Sequence, residues 1–122
     1  MTSILVVDDD PRILRMVCSF LKADGYDVVT AEDGTTALDV VAKTSPALVL
    51  LDLNLPDIDG DEVFRRARAA AYEGPIVLIS ADMRAQQIAG ALGAAFLEKP
   101  FDPSDLFTLV AELTEPLKAR AS

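Results

Sequence analysis

The stretch Leu48-Val49-Leu50-Leu51-Asp52-Leu53-Asn54-Leu55-Pro56-Asp57-Ile58-Asp59-Gly60 changes character at its fifth residue. Its aliphatic run has the length of a strand and no alternation, which marks a strand buried on both faces. The run stops at Asp52, and Leu55 to Gly60 is rich in residues that turn a chain. The same pattern recurs elsewhere. Ile4-Leu5-Val6-Val7 stops at Asp8-Asp9-Asp10, Ile76-Val77-Leu78-Ile79 at Ser80, and Ala95-Phe96-Leu97-Glu98 at Lys99-Pro100. Asp27-Val28-Val29-Thr30 reads as one further short strand.

Helix-like segments fall between these strands. The first runs from about Pro11 to Ala23, with Ile13, Met16, Val17, Phe20 and Leu21 at helical spacing. Asp10 suits its cap and Pro11 its first position. The second opens at Asp33-Gly34, places Ala37, Leu38, Val41 and Ala42 on one face, and closes at Ser45-Pro46. The third turns Val63, Phe64 and Ala67 inward, and Gly74-Pro75 resets the chain for the next strand. Arg84 to Leu92 reads as a weak helix, because Gly90 inside it costs about 1 kcal/mol relative to Ala. The last helix starts near Pro103 with Asp102 as its cap and buries Leu106, Leu109, Val110 and Leu113.

This alternation is (βα)₅, an α/β class chain with an open parallel sheet and helices on both faces. Right-handed crossovers leave few topologies, and the expected strand order is 2-1-3-4-5. Strands one and three are then neighbours, and Asp8 and Asp9 come beside Asp52. The carboxyl ends of parallel strands share one edge, where ligands bind.

The 122 residues suit one domain spanning 1–122, with a short tail from about residue 117. Apolar runs are too short for a spanning helix, and Met1-Thr2-Ser3 leads directly into the first strand, so neither membrane insertion nor a leader segment is expected. The single cysteine, Cys18, has no internal disulfide partner, reads as a small helix-packing hydrophobe, and fits a reducing cytoplasm. A formal charge of −9 argues against a nucleic-acid surface. Arg65, Arg66 and Arg68 are the one basic cluster, and they suit the second half of a solvated helix. The absence of histidine removes imidazole bases, Ser-His-Asp triads and most zinc sites, and with them a phosphohistidine on this chain.

Clustered carboxylates either raise a pKa or take a cation. Hard oxygen ligands select Mg²⁺, with Mn²⁺ or Ca²⁺ as alternatives, and Mg²⁺ is the usual partner of phosphate chemistry. A carboxylate beside such a metal is also a nucleophile toward phosphorus. Lys99 then neutralises charge on a transferring phosphoryl group, and the Ser80 hydroxyl donates to one of its oxygens. Asp10 fits a helix cap better than a ligand.

In this order and spacing, Val6-Val7-Asp8-Asp9, Leu50-Leu51-Asp52-Leu53-Asn54-Leu55-Pro56 with Asp59-Gly60, Leu78-Ile79-Ser80-Ala81 and Lys99-Pro100-Phe101 resemble the CheY-like receiver domain of two-component signalling. The resemblance covers essentially the whole chain. It implies a response regulator module that is a switch rather than an enzyme. Asp52 would be the phosphoacceptor, and Asp8, Asp9, Asp52 and the Asn54 backbone carbonyl would hold Mg²⁺. Ser80 and Phe96 would be the switch pair, and Lys99 would contact the phosphoryl group, with a cis Lys99-Pro100 bond. The implied partners are a sensor histidine kinase or histidine phosphotransfer protein, and a downstream target or an output domain outside this chain. The signalling face would be the fourth helix, fifth strand and fifth helix, where Ala89 to Ala95 reads as a soft element. Asp82 either orients water for dephosphorylation or is plain surface. Two rivals stand beside this reading. One is a haloacid-dehalogenase-like phosphatase using Asp8 and Asp10; the other is a degenerate receiver acting only as a binding module. An FMN-binding fold is disfavoured by the acidic first loop.

Overall fold

A computed structural model describes residues 2–114. Five strands alternate with five helices: β1 Ser3–Val7, α1 Pro11–Ala23, β2 Asp27–Ala31, α2 Gly34–Thr44, β3 Leu48–Asp52, α3 Gly60–Ala69, β4 Ile76–Ser80, α4 Ala85–Leu92, β5 Ala95–Glu98 and α5 Pro103–Thr114. The strands form one parallel sheet in the order β2-β1-β3-β4-β5. The C-terminal tail expected from about residue 117 lies outside the described residues.

The unbroken aliphatic runs are explained by cover on both faces. Alternate residues of each strand enter two separate cores. Leu5, Val7, Val49, Leu51 and Leu78 pack with Ala37 and Val41 of α2, Val63, Phe64 and Ala67 of α3, and Ala89 of α4. Ile4, Val6, Leu48, Leu50, Val77 and Ile79 pack with Leu14, Val17 and Leu21 of α1 and Leu106 and Val110 of α5. Every residue of β3 and β4 is buried. Fully burying one such side chain contributes about 2 kcal/mol.

The helix ends follow local chemistry. Asp10 caps α1 by accepting from the Arg12 backbone N–H at 2.9 Å, with Pro11 at the first position. Asp33 caps α2 by accepting from the Thr36 N–H at 2.7 Å. Helix α4 has no side-chain cap. The arginines of α3 act within their own neighbourhood: Arg65 pairs with Asp61 at 3.0 Å and Arg66 with Glu62 at 2.9 Å. Arg68 donates to the Tyr72 and Gly74 carbonyls.

Some face assignments need correction. On α1, Leu14 is buried while Met16 is 39% exposed. Met16 instead lines an apolar hollow with Ile13, Ala81, Pro100 and Phe101 beside Lys99. On α2, Ala42 is exposed. On α5, Leu106 and Val110 are buried, and Leu109 and Leu113 only partly so.

Candidate functional site

Sheet register alone brings the acidic strand ends together. Val7 of β1 pairs with Leu51 of β3, so the residues that follow, Asp8 and Asp52, sit side by side at the carboxyl edge. The buried strands below carry both carboxylates into a largely dry position: Asp8 is 3% and Asp52 6% exposed. Asp9, next in the chain, is exposed. One carboxylate oxygen from each of Asp8, Asp9 and Asp52 lies within 4.8 Å of the others.

Each buried carboxylate is aimed by a hydrogen bond within two residues. Asp8 Oδ1 accepts from the Asp10 N–H at 2.9 Å, and Asp52 Oδ1 from the Asn54 N–H at 3.2 Å. The remaining oxygens face Lys99, whose Nζ is 2.8 Å from Asp8 Oδ2 and 3.5 Å from Asp52 Oδ2. Lys99 is delivered by β5: its backbone N–H donates to the Ser80 carbonyl at 3.0 Å, and the Lys99-Pro100 peptide is cis, as the resemblance implied.

Burial pushes the Asp52 carboxyl above its ordinary range, the Asp8 charge adds to this, and the Lys99 ammonium opposes it. For Lys99, burial works against the ammonium, but its bond to Asp8 and the charges of Asp52 and Asp8 outweigh it and raise the pKa.

Ser80 ends β4, next to β3, and is 1% exposed. Its Oγ accepts from the Asp82 N–H at 2.9 Å, which leaves the hydroxyl proton free for another acceptor. Asp82 pairs with the Arg84 guanidinium at 2.8 Å, and that hydrogen bond holds its carboxyl below the usual range. Phe96 lies within β5 opposite Leu78, half-buried against the α2–α4 core.

Asp10 does not join the cluster. Its Oδ1 accepts from the Arg12 N–H, and its Oδ2 meets the Arg12 guanidinium at 3.3 Å. The carboxyl that a dehalogenase-like mechanism needs as acid is therefore engaged as a helix cap.

The donor set fits a hard divalent cation: three carboxylates with all-oxygen chemistry, two of them buried and only partly neutralised by one ammonium. Loop close packing supports the same place. A Cβ on Gly60 would fall 2.5 Å from the Asp52 carbonyl oxygen and 2.8 Å from Leu53 Cα, so the segment that leaves the site returns directly onto it. Among the described residues, no helix is long and apolar enough to cross a membrane.

A sequence model of the response regulator receiver domain matches residues 4–111. Response regulator MprA of Mycobacterium sp. (strain KMS) is 37% identical over 113 residues, covering 90% of this chain and 49% of that protein. The chain thus spans about half the length of the curated relatives it matches. Among solved structures, the Vibrio cholerae chemotaxis protein CheY4 superposes with a TM-score of 0.85 at 32% identity, over 93% of this chain and 98% of that one. A CheY-like receiver domain protein from Methanospirillum hungatei JF-1 gives 0.89 at 26% identity, over 98% of both chains. The open parallel sheet, the strand-end constellation and these relatives agree, and the chain belongs to the response regulator receiver domain family, whose members are signalling switches of two-component systems and not classical enzymes.

Proposed function

We propose that Asp52 accepts a phosphoryl group from the phosphohistidine of a sensor histidine kinase or histidine phosphotransfer protein. The observation that carries this reading is the setting of the Asp52 carboxylate. It is buried, oriented by the Asn54 N–H, faced by the Lys99 ammonium, and grouped with the oxygens of Asp8 and Asp9.

An Asp52 carboxylate oxygen forms the new P–O bond as the donor's P–N bond breaks, and the electron pair of that bond returns to the donor imidazole. The donor brings the imidazole that this chain, without histidine, does not have. Lys99 neutralises charge on the arriving phosphoryl oxygens, and Ser80 offers them its hydroxyl proton. Asp8, Asp9, Asp52 and the Asn54 carbonyl would hold Mg²⁺, or Mn²⁺ in its place. When bound, the ion offsets the charge of the acidic cluster and of the phosphoryl group.

The output follows from what Ser80 gives up. In turning to the phosphoryl group it releases the Asp82 N–H, and space beside it opens to Phe96. The face formed by α4, β5 and α5 then changes its packing, which a downstream protein or an attached output domain reads. Such a switch needs phosphoryl contacts that differ between two states. The reading makes the chain a cytoplasmic phosphoprotein.

The test is intact-mass spectrometry after incubation with acetyl phosphate and Mg²⁺, beside Asp52→Asn and an EDTA control. One phosphoryl gained by the wild type and lost in both controls is the expected result. An unchanged mass, together with no binding of beryllofluoride, overturns the reading in favour of a module that only binds.

A further inference from the structure

The β3–α3 loop is anchored at a second point, away from the acidic cluster. Asp57 Oδ1 accepts from the Gly34 N–H at 2.8 Å and from the Ile58 N–H at 2.8 Å. Its Oδ2 accepts from the Thr35 N–H at 2.9 Å and the Thr35 hydroxyl at 2.6 Å. All of these partners are donors, so the carboxylate serves only as an acceptor, as an ionised Asp does. The Thr35 hydroxyl, followed by the Gly34 and Thr35 N–H groups, holds its carboxyl well below the usual range.

Gly34 and Thr35 are the first residues of α2, where N–H groups have no partner inside the helix and negative charge is favoured. A helix cap is ordinarily supplied by the residue just before the helix. Asp33 does that here for Thr36. The Asp57 carboxylate arrives from 23 residues further along the chain, so its bonds fix the loop as much as the helix. Close packing reinforces the joint. A Cβ on Gly34 would clash with Ile58 Cγ1 and fall 2.7 Å from Val63 Cγ2, so the missing side chain is what lets loop and helix meet.

The loop so held leaves the sheet at Asp52 and passes through Asn54 before Asp57. Its far end rests on the Asp52 carbonyl through Gly60. We infer that Asp57 is a positioning residue for the metal–phosphoryl site, clamping the loop to the first turn of α2 so that Asn54 and Asp52 present their oxygens to a divalent cation. The inference rests on the reading of Asp52 and Asn54 under Proposed function. Asp57 itself acts through the intervening Leu55-Pro56 backbone.

The test follows phosphoryl gain from acetyl phosphate by intact mass across a range of Mg²⁺ concentrations, below the melting transition of every variant. It compares the wild type, Asp57→Ala, Asp57→Asn and Tyr72→Phe. The last loses a buried hydrogen bond from Tyr72 Oη to the Pro46 carbonyl, 2.7 Å long, at the opposite edge of the sheet, and controls for general loosening. Asp57→Ala is expected to raise the half-saturating Mg²⁺ concentration about tenfold, as loss of a group that orients metal ligands does. The rate at saturating Mg²⁺ is retained. Asp57→Asn falls between, because its amide keeps one acceptor oxygen and turns an NH₂ toward donors. Tyr72→Phe keeps the wild-type dependence. A wild-type Mg²⁺ dependence in Asp57→Ala, or an equal shift in Tyr72→Phe, overturns the inference. If the wild type gains no phosphoryl group, the acceptor reading falls when beryllofluoride also fails to bind, and it falls as well if Asp52→Asn gains one. Calorimetric titration of Mg²⁺ into the wild type and Asp57→Ala then decides the role of Asp57: weaker binding by the variant supports it, and equal binding, or none by the wild type, overturns it.

Discussion

Lys99 Nζ lies 2.8 Å from Asp8 Oδ2, an ion pair between residues 91 positions apart in the chain. It joins the end of the edge strand β5 to the end of β1, with β3 and β4 between them. One ammonium thus serves as counter-charge for two buried carboxylates.

Removing that counter-charge is expected to destabilise the protein and sharpen its response to metal. Lys99→Met leaves Asp8 and Asp52, with side chains 5% and 8% exposed, without their ammonium. Unpaired buried charge of this kind costs about 2 kcal/mol after partial relief by the exposed cluster rim. A cation that binds only the folded state offsets the loss. Urea denaturation with and without Mg²⁺ checks this: the midpoint should rise more on Mg²⁺ addition in the variant than in the wild type. Equal increments would show that Lys99 and the metal do not address the same carboxylates.

Asp52 stands in a setting that favours its neutral form, because burial and the Asp8 charge outweigh the help of Lys99. Asp52→Asn replaces the charge with an isostere and should stabilise the metal-free protein at neutral pH by about 1 kcal/mol, as removal of strained site groups often does. The same variant should accept no phosphoryl group. Thermal unfolding in EDTA gives the first outcome, and a midpoint at or below that of the wild type would contradict it.

Gly60→Ala sets a methyl group against backbone. The nearest atoms, the Asp52 carbonyl oxygen at 2.5 Å and Leu53 Cα at 2.8 Å, belong to the main chain and cannot swing aside. Overpacking of this kind costs about 2 kcal/mol. Since the displaced backbone is that of Asp52, phosphoryl gain from acetyl phosphate should slow together with the loss of stability. Gly90→Ala is the control, because a Cβ there meets nothing within 4 Å. It is expected to be neutral or stabilising by helix propensity.

Tyr72 reports on stability at alkaline pH. Burial pushes its phenol from 10.0 up to about 12. The folded state therefore holds the proton more tightly than the unfolded state. The stability that this contributes is complete below pH 10 and is lost as pH rises toward 12. Tyr72→Phe should cost about 1 kcal/mol at neutral pH through the lost bond to the Pro46 carbonyl. The gap between the two proteins should then narrow across that alkaline interval. Parallel denaturation curves at every pH would rule out Tyr72 as the titrating group.

The strand-end residues made most of the fold and site legible in advance. Asp8, Asp52, Ser80 and Lys99 all close apolar runs, and a parallel sheet has only one carboxyl edge, so their convergence follows from topology. Helix faces were less legible. On α1, Ile13, Leu14, Met16, Val17, Phe20 and Leu21 cover more than one face, and periodicity alone does not say which row meets the sheet. Leu14, Val17 and Leu21 took that place, while Phe20 turned to an edge-on contact with Phe107 of α5. The bonds of Asp57 were illegible for another reason. Its residue type announces a turn, and nothing local signals that the carboxylate reaches a helix start far back in the chain. Asp82 likewise gave no sign of its fork with Arg84 beyond their proximity in sequence.

Asp52 ends β3, the middle strand of the sheet, whose five residues are all buried and whose Val49, Leu50 and Leu51 pair with both β1 and β4. Amides in such a strand exchange with solvent only when the whole molecule opens. Asp52 is therefore fastened to a buried, doubly paired strand, while Asp82 and Arg84 lie on the loop beyond Ser80, where Arg84 is exposed. An event at that residue would thus be tied to the interior of the sheet, and the segments that would answer it lie at its rim.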